Sequence, residues 1–185
     1  MILLTTSRRP TRRIRTLCQD FARSIPNLVR INRGKLNLDG IAEKALEFRA
    51  DRVIVVDRWK GGPGKIKLFL IEQKGLTLVP PLMYIAGVRL RREFEAKTRS
   101  LRSVAVTTMP RNFPEAMKIA EHLSNFLNFP TSSMDEAASK YQASMHVSLN
   151  TLGRIQITFM LLPQMIEIGP RITLSHVVWK LKNEE

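Results

Sequence analysis

The side chains best suited to chemistry in this sequence are five arginines around residue 10. They are Arg8, Arg9, Arg12, Arg13 and Arg15, and they surround the start of a helix that we predict to begin at Pro10. Positive charge at a helix N-terminus is unfavourable by about 0.3–1 kcal/mol per residue. A bound phosphate reverses that effect, because free helix N–H groups and guanidinium groups both bind phosphate oxygens. The pattern therefore predicts a phosphate-binding site at this helix.

The charge of the whole chain points to a polyanionic partner. The 185 residues carry 30 Lys and Arg against 16 Asp and Glu, a net charge of +14. Residues 1–35 hold nine basic residues and one acidic residue, Asp20, so more than half of the net charge lies there. Hydrophobic residues make up 44% of the chain, which is typical of a folded protein. Nucleic acid is the first predicted partner and an anionic membrane surface the second.

Two further groups of basic residues extend the predicted site. Arg30 lies in a short strand predicted at 28–31, and Arg33 and Lys35 follow that strand; all three add to the first patch. Arg58, Lys60 and Lys65 flank the glycine-rich turn at 61–64 and form a second, weaker contact. This turn is not a phosphate-binding P-loop, because Ile66 stands where that motif needs Ser or Thr. Trp59 is a candidate for stacking on bases, and the sequence leaves its exposure open.

The sequence offers little support for catalysis. The histidines His122, His146 and His176 are scattered, and Asp51 and Asp57 flank a predicted buried strand without forming a carboxylate cluster. A Mg²⁺-dependent nuclease needs carboxylates that converge on the metal. We therefore predict no catalytic residue, no metal site and no cofactor, with an RNA-processing enzyme as the less favoured alternative.

The lone cysteine and the apolar pattern indicate a protein without internal disulfides or membrane-spanning helices. Cys18 lies on the apolar face of the first predicted helix with Ile14, Leu17 and Phe21, so we expect it in the core. No apolar run reaches the 18 residues that a membrane helix needs. An intracellular, soluble protein is the expectation.

The predicted elements repeat along the chain. A β-α-β-α-β-β order over residues 1–85 starts again in 103–185 after a charged connector, 86–102. Residues 53–56 are predicted to form a strand buried on both faces, and Leu38 to Phe48 to include a helix. Further strands are predicted at 76–79, 144–150, 154–162 and 166–178. The sequence thus predicts an α/β fold of two similar halves.

Four segments together resemble the Brix-domain ribosome-biogenesis proteins in their compact archaeal form. They are residues 2–15, the Asn-Arg-Gly-Lys turn at 32–35, the strand and turn at 53–56 and 61–66, and Ile-Gly-Pro-Arg-Ile-Thr-Leu at 168–174. The order of the motifs is kept over nearly the whole chain. One departure is Gly75-Leu76-Thr77, where relatives often have Gly-Pro-Thr.

The resemblance implies both a fold and a function. It implies one Brix-like domain over 1–185, whose halves each resemble the anticodon-binding domain of class II aminoacyl-tRNA synthetases. It also implies an RNA-binding assembly factor that binds precursor rRNA and assists its folding or processing, without catalytic residues or a cofactor. A scaffold that recruits other ribosome-assembly proteins, through strand edges or residues 86–102, is the alternative.

Overall fold

The computed structural model describes residues 1–59 and 62–181 and has a mixed α/β fold with four α-helices. The chain divides into two compact units. The first comprises Met1–Ala22, Asn27–Ile85 and a C-terminal piece that starts at His176, and the second comprises Arg23–Pro26 and Ala86–Ser175.

The first unit contains three parallel strands followed by antiparallel ones. Its elements, some of which end in the second unit, are β1 (Ile2–Thr6), α1 (Arg12–Ser24), β2 (Leu28–Arg30), α2 (Leu38–Glu47), β3 (Arg52–Trp59), β4 (Gly62–Glu72) and β5 (Gly75–Arg89). The strand order is β2-β1-β3-β4-β5. β1 pairs in parallel with both β2 and β3, and the pairs β3–β4 and β4–β5 are antiparallel.

Apolar strands and two amphipathic helices build the core of this unit. Leu3, Val53 and Val55 pack with Ile41 and Ala45 of α2. The predicted buried run at 53–56 is confirmed, because all four side chains are buried. Alternation along a strand turns the residues between these toward the opposite face, so both faces of β1 and β3 are covered.

The apolar face of α1 is buried at the predicted spacing. Ile14, Leu17, Cys18 and Phe21 are all buried. Burial raises the pKa of the Cys18 thiol to about 12, and the charge of Arg30 opposes this shift only in part. The expectation that Cys18 is a core residue is confirmed.

The helix predicted within Leu38 to Phe48 is present, but not all of its apolar residues are buried. Leu46 is 63% exposed and Phe48, which follows the helix, is 40% exposed. Ile41 and Ala45 lie one turn apart and face the sheet, whereas Leu46 is rotated by about 100° from Ala45. An apolar residue type at that position therefore does not indicate contact with the core.

The second unit has one parallel strand pair and further antiparallel strands. The β-α-β-α-β-β order expected for 103–185 was wrong, because its two helices follow each other with only an isolated β-bridge, Val106 to Thr131, in place of the strand between them. Its elements are β6 (Val104–Met109), α3 (Pro114–Leu127), α4 (Met134–Lys140), β7 (Ala143–Leu149), β8 (Ile155–Leu161), β9 (Ile166–Glu167) and β10 (Arg171–Val178), the last of which ends in the first unit. The strand order is β10-β8-β7-β6, and β9 pairs with β8. β6 and β7 are parallel, and β7 and β8 are antiparallel.

The strand expected at 76–79 is much longer than predicted and enters the expected connector. β5 continues to Arg89, and a 3₁₀ turn follows at Arg91–Glu93. Arg91 is buried and its Nη2 donates to the carbonyl oxygen of Thr98 at 2.8 Å. Arg89 also donates to a backbone carbonyl group, that of Glu93. Two arginines of this segment thus bind its own backbone, which a pattern of charges does not reveal.

A glycine interrupts the strand that was expected over 166–178. Gly169 lies between β9 and β10 with φ of +61°, and a Cβ at this position would overlap the ring of Phe94. The guanidinium groups of Arg89 and Arg171 lie 4.2 and 5.6 Å from the centre of that ring. Glycine is therefore required both by the backbone conformation and by the packing of Phe94.

Gly169→Ala should lower the free energy of unfolding by about 2–4 kcal/mol, since backbone strain and overlap with Phe94 add together. Gly153→Ala is the matched control, because Gly153 has φ of +73° and nothing lies within 4 Å of the position that a Cβ would take there. That change should cost about 1 kcal/mol, from backbone strain alone. Urea unfolding measures both variants, and equal losses would contradict the role of Phe94.

Candidate nucleic-acid interface

The parallel strands of the first unit bring the predicted basic residues to one edge. Leu4 pairs with Arg30 of β2 and with Ile54 of β3. Because the three strands run in the same direction, the segments that follow them leave from the same side of the sheet. We call this side the carboxyl edge; it carries residues 7–11, 31–37 and the β3–β4 hairpin.

Four of the predicted arginines line one cavity at the carboxyl edge. This cavity, the arginine pocket, has a volume of about 360 Å³ and is lined by Thr6, Arg8, Pro10, Arg15, Arg30, Asn32, Arg33 and Gly34. None of these eight residues is acidic. A neighbouring cavity of about 660 Å³ shares Arg8 and Arg33 and includes the carboxylate residues Asp39 and Asp57. The arginine pocket thus concentrates positive charge in a recess, which favours an anion.

Arg8, Arg9 and Arg12, before and at the start of α1, are available for a ligand. Arg8, Arg9 and Arg12 are exposed, and within residues 1–59 and 62–181 their side chains make no hydrogen bond or ion pair. Arg13 is also exposed. Arg15 is exposed and its Nη2 donates to the carbonyl oxygen of Pro10 at 3.3 Å. A phosphate would therefore displace few existing interactions at this point.

The helix itself begins two residues later than expected. α1 starts at Arg12, so Arg8 and Arg9 precede it in the loop and Arg12 and Arg13 form its first turn. That turn contains no acidic residue. The hydroxyl of Thr11 accepts from the N–H of Ile14 at 3.3 Å and so caps one of the free helix N–H groups.

Two buried polar atoms at this edge have no partner in the described part of the chain. They are the hydroxyl oxygen of Ser7 and Nε of Arg30. The other nitrogens of Arg30 donate to Gln19 and Asn32, each at 3.2 Å. Buried polar groups normally have a hydrogen-bond partner, so these two atoms are positions where a ligand or water would be stabilised.

Arg33 differs from the other arginines of the pocket because it is engaged with the backbone. It is 9% exposed, and its Nε donates to the carbonyl oxygen of Leu36 at 2.7 Å. Its Nη1 donates to the carbonyl oxygen of Thr6 at 3.2 Å. Burial lowers the pKa of this guanidinium, and the charge of Asp57 opposes the shift. Arg33 therefore joins the loop after β2 to the end of β1, whereas its neighbour Lys35 is exposed.

The β3–β4 hairpin contributes a separate basic and aromatic surface. Arg58 is exposed and Lys65 is half-buried, while Lys60 lies outside the described residues. Trp59 is 49% exposed, which answers the question that the sequence left open. Tyr84 lies beside it, with ring centres 6.2 Å apart. Tyr84 is not predicted from the sequence, because this residue of β5 reaches the hairpin through sheet pairing and no local spacing signals that contact.

The acidic residues considered for catalysis pair with basic groups. Asp57 accepts from Nζ of Lys67 at 2.8 Å, and Asp51 lies 3.3 Å from Nε of Arg52. His146 shares a 2.8 Å hydrogen bond with the hydroxyl of Thr107, and burial lowers the pKa of its imidazole.

Over residues 1–59 and 62–181, no three His, Cys, Asp or Glu side chains are grouped so that they could hold a metal ion. The described helices are too short or too polar to span a membrane.

Comparison with curated proteins finds relatives that share one description. The chain is 33% identical over 129 residues to a probable Brix domain-containing ribosomal biogenesis protein of Methanopyrus kandleri, a match that covers 67% of this chain and 65% of the relative. Proteins of the same description from Pyrococcus horikoshii and Aeropyrum pernix are each 35% identical, over 52% and 54% of this chain and 43% and 55% of theirs. The matched stretches thus span 43–65% of the length of these relatives. No protein-family model matches the chain.

Two crystal structures share the fold over nearly the whole chain. A probable ribosomal biogenesis protein from Aeropyrum pernix K1 superposes with a TM-score of 0.78 at 23% identity, covering 96% of this chain and 98% of its own. The archaeal Imp4-like protein Mil superposes with a TM-score of 0.67 at 22% identity, covering 96% and 99%.

The backbone contacts of Arg33 predict that it matters for stability. Arg33→Ala should lower the free energy of unfolding by about 2–3 kcal/mol, because the carbonyl groups of Thr6 and Leu36 lose a charged donor. Arg9→Ala should change it by less than about 0.5 kcal/mol, since Arg9 is exposed. Thermal or urea unfolding of the two variants measures the difference. A stable Arg33→Ala protein would show that the loop does not depend on this side chain.

Proposed function

Because this chain belongs to the Brix-domain family, we propose that it acts in ribosome biogenesis and does so by binding precursor rRNA. The observation that supports RNA binding most strongly is the arginine pocket, where four guanidinium groups meet without an acidic lining residue. RNA phosphates are the anions that a ribosome-assembly factor meets in quantity. Arginine also matches phosphate geometry better than lysine, because its planar group can donate two parallel hydrogen bonds.

The arginines divide into those that grip phosphate and those that support them. Arg8, Arg9, Arg12 and Arg13 are exposed and would contact the RNA backbone directly. Arg15 and Arg30 line the pocket wall and already hold protein atoms through part of their guanidinium groups. Arg33 would position the loop that carries Lys35, while Arg58, Lys60 and Lys65 would be a second contact. Such a surface would hold an rRNA segment in one conformation and so guide or delay its pairing.

RNA binding in this proposal belongs to the first half of the chain. We divide the Brix-like domain 1–185 into halves at 1–85 and 103–185, each resembling an anticodon-binding domain. In the second half, α3 begins with Pro114 and Glu115. The cavity of about 1040 Å³ beside α3 is lined by Arg111 and Lys118 but also by Glu121 and Glu136. Its mixed charge gives a phosphate much less attraction than the arginine pocket does.

In this proposal the protein acts by binding RNA rather than by catalysis, and it works in the cytoplasm without a cofactor. Other ribosome-assembly proteins would be partners in the same complex. The pairing of Asp57 with Lys67 supports this view, because that carboxylate already has a cationic partner.

Arg8→Ala combined with Arg12→Ala tests the site. The double variant should bind a precursor rRNA fragment about tenfold to a hundredfold more weakly, since each charged hydrogen bond contributes about 1.5–3 kcal/mol in favourable cases. The slope of log K against log salt should become shallower by about 1 to 2, because two phosphate contacts are lost. Thermal stability should stay unchanged or rise, as Arg12 opposes the helix dipole. Fluorescence anisotropy at several salt concentrations measures both quantities.

The matched control is Arg102→Ala combined with Arg154→Ala. Both residues are exposed and lie in the second unit, and the change in net charge is the same. We expect the control to lose much less affinity than the double variant. Equal losses would mean that net charge alone governs binding and that the arginines around the start of α1 are not the site.

Incubation of precursor rRNA with the purified protein and Mg²⁺ separates a binding protein from a nuclease. We expect the RNA to stay intact while it is bound, because the proposal assigns no group to activate water on a metal. Gel electrophoresis of the RNA reports the result. Cleavage that requires both Mg²⁺ and the protein would favour the enzymatic alternative.

A further inference from the structure

Three aromatic rings and a lysine form a surface cluster in the first unit. Trp59 and Tyr84 meet edge to face at an interplanar angle of 83°, and the ring of His176 stacks on Tyr84 with centres 4.1 Å apart. Nζ of Lys65 lies 5.1 Å from the ring centre of Trp59 and 5.6 Å from that of Tyr84. We call these four residues the aromatic cluster. Both lysine distances are within the range of a cation–π interaction.

A β-bulge sets the position of Trp59 in this cluster. Asp57 pairs with Lys65, but the next residue, Arg58, pairs with Pro63, so Gly64 is the extra residue of β4. A Cβ on Gly64 would overlap the backbone and Cβ of Trp59. Bulges of this kind redirect side chains. The hairpin therefore depends on glycine at 64 to bring its two strands together at Trp59.

The exposure of Trp59 calls for a partner that uses its ring. An indole is a large apolar group that proteins usually bury, yet half of this one is accessible. Two basic residues lie beside it: Arg58 is exposed, and Lys65 lies over the ring. An aromatic surface beside positive charges is complementary to unpaired nucleotides, whose bases stack and whose phosphates are negative.

We propose that the aromatic cluster is a stacking site for unpaired bases of RNA, in which Trp59 contacts a base and Arg58 and Lys65 contact the flanking phosphates. The inference rests on the proposed RNA-binding function and deepens it, because it names single-stranded RNA as the form bound at the hairpin. The arginine pocket binds the backbone of any RNA. The aromatic cluster adds a contribution that requires bases that are free to leave a helix.

Trp59→Ala tests the stacking site on an RNA of about ten nucleotides, within the usual length range for a single-strand site. The affinity for this RNA should fall about tenfold, and the salt dependence should not change, because no phosphate contact is removed directly. Trp59→Phe should recover most of the affinity. An RNA of equal length whose central nucleotides lack bases should bind wild type and Trp59→Ala alike.

Phe48→Ala is the matched control, because Phe48 is an aromatic residue of the same unit with 40% exposure. It should bind the single-stranded RNA as wild type does. Thermal unfolding of all variants checks that each is folded. Equal binding of base-containing RNA by wild type and Trp59→Ala would overturn the stacking site while leaving the arginine pocket in place.

A fluorescence measurement reports on the ring itself. Trp59 and Trp179 are the two tryptophans of the chain, so Trp179→Phe leaves Trp59 as the reporter. Base-containing RNA should quench its emission, and the abasic RNA should not. Equal quenching by both RNAs would overturn the stacking site. If neither the wild type nor the Arg8, Arg12 double variant bound RNA, the proposed function would be overturned, and this inference with it.

Discussion

The parallel pairing of β1 with β2 on one side and β3 on the other is the constraint on which the candidate interface depends. This pairing brings the ends of three separate segments to one edge, so residues near 8, 33 and 58 become neighbours there. A run of arginines in one segment alone would make a charged strip. Strand direction makes a pocket instead of a strip, because Arg8, which follows β1, lines the same cavity as Arg30 and Arg33, at the end of β2 and in the loop after it. The sheet is thus the reason that the charge is concentrated.

The arginine pocket brings like charges together, and hydrogen bonds from guanidinium groups to uncharged protein groups help to stabilise it. Arg33 illustrates this point, since its guanidinium binds two backbone carbonyl groups and so is satisfied without a carboxylate. The repulsion between Arg8 and Arg33 contributes to the lowered pKa of Arg33. Such repulsion reduces stability in the free protein and is relieved when an anion binds. The arrangement that favours anion binding at this site therefore lowers the stability of the free protein, as is common for functional surfaces.

The sequence predicted those features that depend on local spacing. The buried face of α1 and the buried run at 53–56 follow from apolar periodicity, and both are present as expected. The exposure of Leu46 and the break at Gly169 were not predicted, because they depend on which neighbour covers a residue. Residue type also could not separate Arg33 from Arg8. An arginine that binds carbonyl groups and one that faces solvent look alike in a sequence.

The arginine pocket and the aromatic cluster belong to the same carboxyl edge, and Asp57 connects them. Asp57 lines the cavity that shares Arg8 and Arg33, and it also precedes Arg58 and Trp59 in the hairpin. Its carboxylate is paired with Lys67, which reduces its repulsion of a passing phosphate. A strand of RNA could therefore contact both sites in one path. Phosphate binding would supply affinity that falls with salt, and stacking would supply selectivity for unpaired bases that salt affects much less. A factor that uses both phosphate binding and base stacking would bind precursor rRNA most tightly while a segment is unpaired. It would lose the stacking contribution to affinity once that segment forms a helix.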